Sequence, residues 1–350
     1  MRRILRAAAL GALASCGAVA LAQASAPVPG PVYGPELQGF DYPHPLRHFA
    51  FMSQREALQM AYMDVPPQGR PNGRTAVLMH GKNFCGATWE HQIASLAAAG
   101  YRVVVPDQIG FCASTKPAHY QYSFQQLAAN TAALLRSLDI PRAVFVAHST
   151  GGMIAVRYAL MYPADVDTLV LVNPVGLEDW KAIGVPVRSV DDWYARELKQ
   201  SADAIRRYES STYYVNRWKP AYERWVGMLA GLQAGPGHEL VAWNSALVYD
   251  MLMTQPVVYE FPLLKVSTVL MIGTADTTAI GSDIAPPDVK ARLGHYDVLD
   301  KQAAAAIPHA RLIEFPGLGH APQIQEPDEF DRRLLDALAM PAAPAANDPH

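Results

Sequence analysis

Short runs of β-branched and aliphatic residues alternate along this chain with stretches of helical spacing. Thr75 to Met79, Tyr101 to Val105, Ala143 to Ala147, Val166 to Val172, Thr268 to Ile272 and Arg311 to Phe315 read as strands. Each is too short for a helix, and all but Arg311 to Phe315 are mostly apolar, as strands covered on both faces are. His48 to Ser53 and Ala57 to Val65 add two more strands ahead of them. Between the strands, Trp89 to Ala99 reads as a helix ended by Gly100, and Ser123 to Leu138 as another, with Leu127, Leu134, Leu135 and Leu138 apolar. Gly151 to Met161, closed by Pro163, and Pro327 to Leu338 complete the helical set. Strands that alternate with helices predict a mostly parallel, doubly wound α/β sheet with helices on both faces.

The alternation breaks between about residues 176 and 255. That stretch is helical in composition and holds Trp180, Trp193, Trp218, Trp225 and Trp243, five of the six tryptophans. It reads as a helical cap inserted into a core made of residues 48–175 and 256–340. Residues 25–47 are rich in Pro and Gly and read as a lead-in. The Ala/Pro-rich residues 341–350 are expected to be a disordered tail.

The N-terminus has a pattern of its own. Arg2, Arg3 and Arg6 precede an uncharged Ala/Leu/Gly run from Ala7 to Ala22, and Ala22-Gln23-Ala24 has the small-x-small form of a cleavage site. Residues 1–24 therefore read as an export signal, which places the mature protein in the periplasm or outside the cell. Leu13-Ala14-Ser15-Cys16 also resembles a lipoprotein signal, which would acylate Cys16, but the run after Cys16 stays apolar. No stable membrane association is expected once the signal is removed. Twenty-nine basic and 32 acidic residues leave a net charge of -3, which is no footprint for nucleic acid. No histidine spacing matches a metal motif and no Gly-rich phosphate loop follows a strand, so no metal or cofactor is expected.

The candidate chemistry sits at strand ends. Ser149 follows one strand and precedes a helix, in "AVFVAHSTGGMIAV". A strand–turn–helix elbow exposes a serine hydroxyl, and Gly151 and Gly152 supply the small neighbours it needs. Ala147 stands where the elbow motif usually has its first glycine. Asp276 follows the strand ending at Ile272, and His320 follows the one ending at Phe315. The chain order Ser, Asp, His fits a nucleophile, an orienting acid and a base. Asn173, Glu178, Asp179 and Asp283 are less suitable: the first is no carboxylate, and the others lie away from a strand end. His80-Gly81-Lys82-Asn83 ends another strand. The backbone N–H groups of Lys82 and Thr150 are the expected oxyanion donors. The side chain of Lys82 is expected in solvent.

The stretches "LMHGKNFCGATW", "GYRVVVPDQIGF", "VAHSTGGMIA", "LVLVNPVGLEDW", "LMIGTADTTA" and "GLGHAPQIQEP" make the chain resemble the α/β-hydrolase superfamily, in its capped epoxide-hydrolase-like and C–C-hydrolase-like branch. The resemblance spans about residues 48–339. It implies the α/β-hydrolase fold, with Ser149 as nucleophile, His320 as base and Asp276 as its orienting acid. It also implies that Asp107, Gly110 and Ser114 shape the loop beside the active site. Members that open epoxides or remove halide use aspartate at the elbow, so serine argues against both. Cys112 fills a loop position where glycine is common.

The expected activity is hydrolysis of small or medium carboxylic esters or lactones, acting on a small-molecule ester-like substrate. The rivals are C–C bond hydrolysis, removal of N-terminal proline, and a non-catalytic binding protein on the same fold. Asn83, Phe84, His148, Trp193, Trp218, Tyr222 and Trp225 are candidate pocket residues. In the sheet order that the resemblance implies, Cys85 and Cys112 follow neighbouring strands, so export predicts a disulfide between them. Nothing in the sequence sets the oligomeric state.

Overall fold

The computed structural model describes residues 30–340. The expected export signal, with Cys16, and the expected tail lie outside the described residues. The chain runs through β1 (Leu46–Ser53), β2 (Glu56–Val65), β3 (Thr75–Met79), α1 (Glu90–Ala98), β4 (Arg102–Pro106), α2 (Phe124–Ser137), β5 (Ala143–His148), α3 (Thr150–Met161) and β6 (Val166–Val172). Five helices follow: α4 (Trp180–Ile183), α5 (Val190–Glu197), α6 (Ala202–Tyr208), α7 (Glu223–Gln233) and α8 (His238–Thr254). Then come β7 (Thr268–Gly273), α9 (Pro287–Lys290), α10 (Tyr296–Ala306), β8 (Arg311–Phe315), α11 (Pro322–Gln325) and α12 (Pro327–Ala339).

The eight strands form one sheet in the order β1-β2-β4-β3-β5-β6-β7-β8. β1 and β2 pair antiparallel, as do β2 and β4, and every later pairing is parallel. This is the mostly parallel α/β-hydrolase sheet. Successive side chains of a strand point to opposite faces, and both faces here are apolar. Val77, Met79, Phe145, Leu169, Leu171 and Ile272 meet Leu127, Leu134, Leu135 and Tyr158 of α2 and α3 on one face. Leu78, Val144, Val146, Val170 and Met271 meet Trp89, Ile93, Leu96, Phe330 and Leu334 around α1 and α12 on the other. Covering both faces is why the central strands β3, β5, β6 and β7 read as nearly continuous apolar runs.

Local signals set the element ends. Ser123 caps α2 by accepting from the Gln126 N–H at 3.1 Å, a bond worth about 1 kcal/mol to the helix. The structure adds α10, for which the sequence pattern predicts no element. Its Ala-rich outer face gives little periodic contrast, and only Tyr296, Leu299 and Ala303 supply an apolar stripe. The lead-in is more than a connector. The Tyr33 N–H donates to the Gly231 carbonyl at 3.0 Å, so this segment docks on α7.

Candidate active site

β5 ends at His148, and Ser149 follows with φ 55° and ψ -123°. A non-glycine residue there costs on the order of 1–3 kcal/mol and is held by its surroundings. Gly151 is what lets the next turn close. A Cβ on it would lie 2.6 Å from the Met79 carbonyl oxygen and 2.7 Å from that of His80. Gly81 approaches from the other side, where an added Cβ would come within 2.8 Å of the Ser149 Cβ. The loop after β3 thus lies directly against the elbow. Ala147 keeps its side chain fully buried inside the ladder, between Met79 and Leu171.

Ser149, His320 and Asp276 form one hydrogen-bonded chain. The Ser149 Oγ lies 2.9 Å from His320 Nε2, and His320 Nδ1 lies 2.6 Å from Asp276 Oδ2. All three are buried. Asp276 has every acceptor position engaged. Its Oδ2 also accepts from Asn173 Nδ2 at 2.9 Å, and its Oδ1 accepts from the Thr278 N–H at 2.8 Å and hydroxyl at 2.6 Å. A buried carboxyl group with this many donors is fixed in direction. Asn173, set aside in the sequence because it is no carboxylate, is therefore the residue that orients one. The other acids are occupied elsewhere: Glu178 by Trp180 and the Gly294 N–H, Asp179 as the cap of α4, and Asp283 by Arg188 and Arg196.

Two buried histidines brace this chain. The Gln108 N–H donates to His80 Nε2 at 3.1 Å, so His80 carries its proton on Nδ1 and donates it to the Gly81 carbonyl at 2.8 Å. That carbonyl belongs to the peptide whose N–H is that of Lys82. In a trans peptide the two point in opposite directions, so gripping the carbonyl fixes where the Lys82 N–H points. Neither the Lys82 N–H nor the Thr150 N–H is taken by another group among the described residues. His148 donates from Nε2 to the His320 carbonyl at 2.8 Å. Burial and the nearby His320 push its pKa well below the ordinary value, so it is a neutral brace.

Asp107, Gly110 and Ser114 belong to the adjacent loop, in which Gly110 takes φ 92° and its N–H donates to the Thr115 carbonyl at 2.9 Å. Asp107 accepts from the Gly86 and Ala113 N–H groups at 2.7 and 3.0 Å and from the Tyr42 hydroxyl at 2.5 Å. The Ser114 hydroxyl donates to the Asp107 carbonyl at 2.6 Å.

The helices between β6 and β7 cover one end of the site. Tyr213 closes a short π-helical turn, Glu209–Tyr213, and its ring centroid lies 4.8 Å from that of His320. Asn83 Nδ2 donates to the Tyr213 hydroxyl at 2.9 Å. A cavity of about 400 Å³ lies between these helices and the core loops. Its walls include Lys82, Asn83, Trp193, Leu229, Val248 and Ile280. The cavity lining stops at the loop over Ser149 and does not include Ser149 itself.

Several expectations need correcting. Trp218, Tyr222 and Trp225 do not line the cavity. Tyr222 stacks on Tyr214 with centroids 3.7 Å apart, Trp218 packs edge-on to both, and Arg224 covers Trp225. These rings pack the insertion against itself. The Phe84 and His148 rings lie 5.6 Å apart, and both residues are also absent from the cavity wall. Cys85 and Cys112 are free buried thiols, not a disulfide. The Cys85 sulfur faces Met228 at 3.2 Å and the Cys112 sulfur faces the Phe84 carbonyl at 3.2 Å. Finally, the Lys82 side chain is not in solvent. It crosses to the insertion, 2.6 Å from the Ser245 Oγ. Among the described residues, no group of three or more His, Cys, Asp or Glu could hold a metal ion.

Glu209 is the unusual acid of the insertion. It is buried, and among the described residues neither carboxyl oxygen has a hydrogen-bond partner. Burial, with Glu223 adding to it, pushes its pKa up to about 8. Unfolded, the same carboxyl ionises near its ordinary value; folded, it stays protonated until about pH 8. The folded state therefore loses stability as pH rises between those two values, by an amount on the order of a few kcal/mol. Glu209→Gln should raise the melting temperature at pH 8 and change it little at about pH 4. Thermal unfolding of both proteins across that range checks this, and a shift independent of pH would show that Glu209 is not held neutral.

Residues 76–333 match the pattern of the alpha/beta hydrolase family. A solved structure of a probable hydrolytic enzyme from Pseudomonas aeruginosa is similar, with 60% identity and a TM-score of 0.88 over 89% of this chain and 99% of that one. Putative carbamate hydrolases from Serratia proteamaculans and Pantoea ananatis are also similar. The first is 30% identical over 79% of this chain and 95% of its own, and the second 27% identical over 82% and 96%. The sheet order, the serine elbow between β5 and α3, and the match over most of the core agree: the chain is an enzyme and belongs to the alpha/beta hydrolase family.

Proposed function

We propose that this enzyme is an exported serine hydrolase of small or medium carboxylic esters, lactones included. One observation carries the reading: the continuous chain from Ser149 Oγ through the His320 ring to Asp276, with distances of 2.9 and 2.6 Å. His320 Nε2 takes the hydroxyl proton as Ser149 Oγ bonds to the carbonyl carbon. Asp276 holds the resulting imidazolium. The carbonyl oxygen, now an oxyanion, accepts from the N–H groups of Lys82 and Thr150. Collapse of the tetrahedral intermediate breaks the C–O bond to the alcohol, which leaves with the proton from His320. A water, deprotonated by His320, then attacks the acyl carbon; the C–Oγ bond breaks, His320 returns the proton to Ser149 Oγ, and the acid is released.

The similar carbamate hydrolases support a substrate with an acyl carbonyl, and a carbamate would present the same carbon to Ser149. The apolar walls at Ile205, Leu229, Leu232, Val241, Val248 and Ile280 support an uncharged acyl or alcohol group over a glycan. Export rests on the first 24 residues alone.

Purified protein should hydrolyse uncharged aryl and alkyl esters and lactones and should be labelled by a fluorophosphonate. Mass spectrometry of the labelled peptide locates the adduct at Ser149. No hydrolysis of any ester, lactone or carbamate, together with no labelling, would refute the reading. Turnover of dienone acids with inertness to every ester would replace it with C–C bond hydrolysis.

A further inference from the structure

Lys82 contributes two separate groups. Its backbone N–H is one of the two oxyanion donors in the reading above, and its side chain reaches into the helical insertion. The ammonium donates to Ser245 Oγ on α8 at 2.6 Å and lies 3.5 Å from Glu197 Oε2 at the end of α5. It also sits 3.9 Å from the centre of the Tyr249 ring. The Ser245 hydroxyl donates to Glu197 Oε2 at 2.5 Å, and Arg196 holds the other Glu197 oxygen at 2.7 Å. Glu197 is about as buried as a core leucine, 4% exposed. Burial alone would raise its pKa, but Lys82, the Ser245 hydroxyl and Arg196 outweigh that and hold it below the ordinary value. The carboxylate is therefore ionised and compensated, and the cluster is a rigid one.

This arrangement holds the Lys82 peptide from two sides. On the core side, His80 and the Phe84 N–H grip the Gly81 carbonyl at 2.8 and 3.1 Å. On the insertion side, the lysine side chain is fastened 115 and 163 residues away in sequence, at Glu197 and Ser245. A side chain spanning two structural layers is free to settle elsewhere only if one end is released. We propose that Glu197 and Ser245 are positioning residues for catalysis. By anchoring the Lys82 side chain they fix the direction of its backbone N–H, so the oxyanion site is complete only when the insertion is seated on the core. The proposal rests on the serine-hydrolase reading. It assigns the insertion a part in transition-state stabilisation in addition to enclosing the substrate.

An N–H that drifts from the oxyanion loses part of the stabilisation that a fixed donor supplies, which for complete loss is about 100- to 1000-fold in turnover. Glu197→Gln and Ser245→Ala should each lower kcat by about tenfold or more, with KM within about threefold of wild type. Lys82→Met should do the same. Lys82→Met with Glu197→Gln should be no worse than the poorer single variant, because both remove one anchor. Phenylboronic acid, whose serine adduct places an oxygen in the oxyanion site, should lose affinity in step with kcat. Arg206→Gln removes an exposed ion pair with Glu223 on the same insertion and should leave kcat unchanged.

Ser245→Ala, which alters neither charge, keeps the test valid if the charge variants unfold. Wild-type kcat and boronate affinity in folded Ser245→Ala and Glu197→Gln would overturn the anchoring proposal and leave the serine-hydrolase reading intact. A raised KM at unchanged kcat would overturn it too, by making the cluster a substrate contact. A wild-type enzyme inert to esters and fluorophosphonate would end both.

Discussion

Ser149→Ala should lose hydrolytic turnover by on the order of a million-fold, the size expected when members of a triad act as one unit. It should also lose all fluorophosphonate labelling, and it should fold. Among the described residues the hydroxyl has one partner, His320 Nε2 at 2.9 Å, and it caps no helix N–H despite its place before α3. Removing it costs the fold one hydrogen bond and no packing volume beyond the oxygen. The backbone at Ser149 is held by other contacts: its N–H donates to the Val172 carbonyl at 3.1 Å, and its own carbonyl accepts from Gly152 at 2.9 Å. Both persist in alanine. The backbone N–H groups of Lys82 and Thr150, the proposed oxyanion donors, also persist, so the residual rate reports what they do without a nucleophile. Circular dichroism and melting temperature establish that the variant is folded. Turnover within about tenfold of wild type in a folded Ser149→Ala would remove Ser149 from the mechanism.

What the sequence made legible follows from where its chemistry lies. Ser149, Asp276 and His320 each come a few residues after a short apolar strand, and parallel strands deliver such residues to one edge of the sheet. Short apolar runs are enough to find those edges. Asn173 and Thr278 were not legible as orienting residues, because their role depends on a pairing between strands. β6 and β7 are neighbours with Val172 opposite Met271, and this brings Asn173 within reach of Asp276. Nothing local to Asn173 announces it.

The insertion was the least legible part. Its richness in aromatic residues was plain, but composition does not say which rings face a cavity. Trp193 does, stacked on Tyr249 at 4.4 Å, whereas Trp218 and Tyr222 close on Tyr214. Lys82 shows the same limit at a single residue. A lysine after a His-Gly turn reads as solvated, and its partners lie on two helices far along the chain. The cysteine pair shows it again. Neighbouring strands were the right inference for the two loops, but Cys112 sits at φ 46° and its sulfur turns toward the Phe84 carbonyl.

Asp276→Asn should lower turnover by about four orders of magnitude while the protein stays folded. The carboxylate accepts four hydrogen bonds and donates none. Asparagine must place an NH2 group at one of the two oxygen positions. At the Oδ2 position it would face His320 Nδ1 and the Asn173 amide, two groups that act as donors there. His320 could then meet it only as the Nε2–H tautomer, which presents a proton to Ser149 Oγ and cannot remove one. At the Oδ1 position the NH2 would face the Thr278 N–H at 2.8 Å, leaving a buried donor opposed to a donor. Only the Thr278 hydroxyl can turn to accept. Either way the negative charge that stabilises the imidazolium is gone. The loss should fall on kcat, since the side chain does not line the cavity, and fluorophosphonate labelling should slow by a similar factor. Steady-state kinetics beside the labelling rate measure both. A folded Asp276→Asn enzyme that turns over and labels within about tenfold of wild type would mean that the acid serving His320 is another residue.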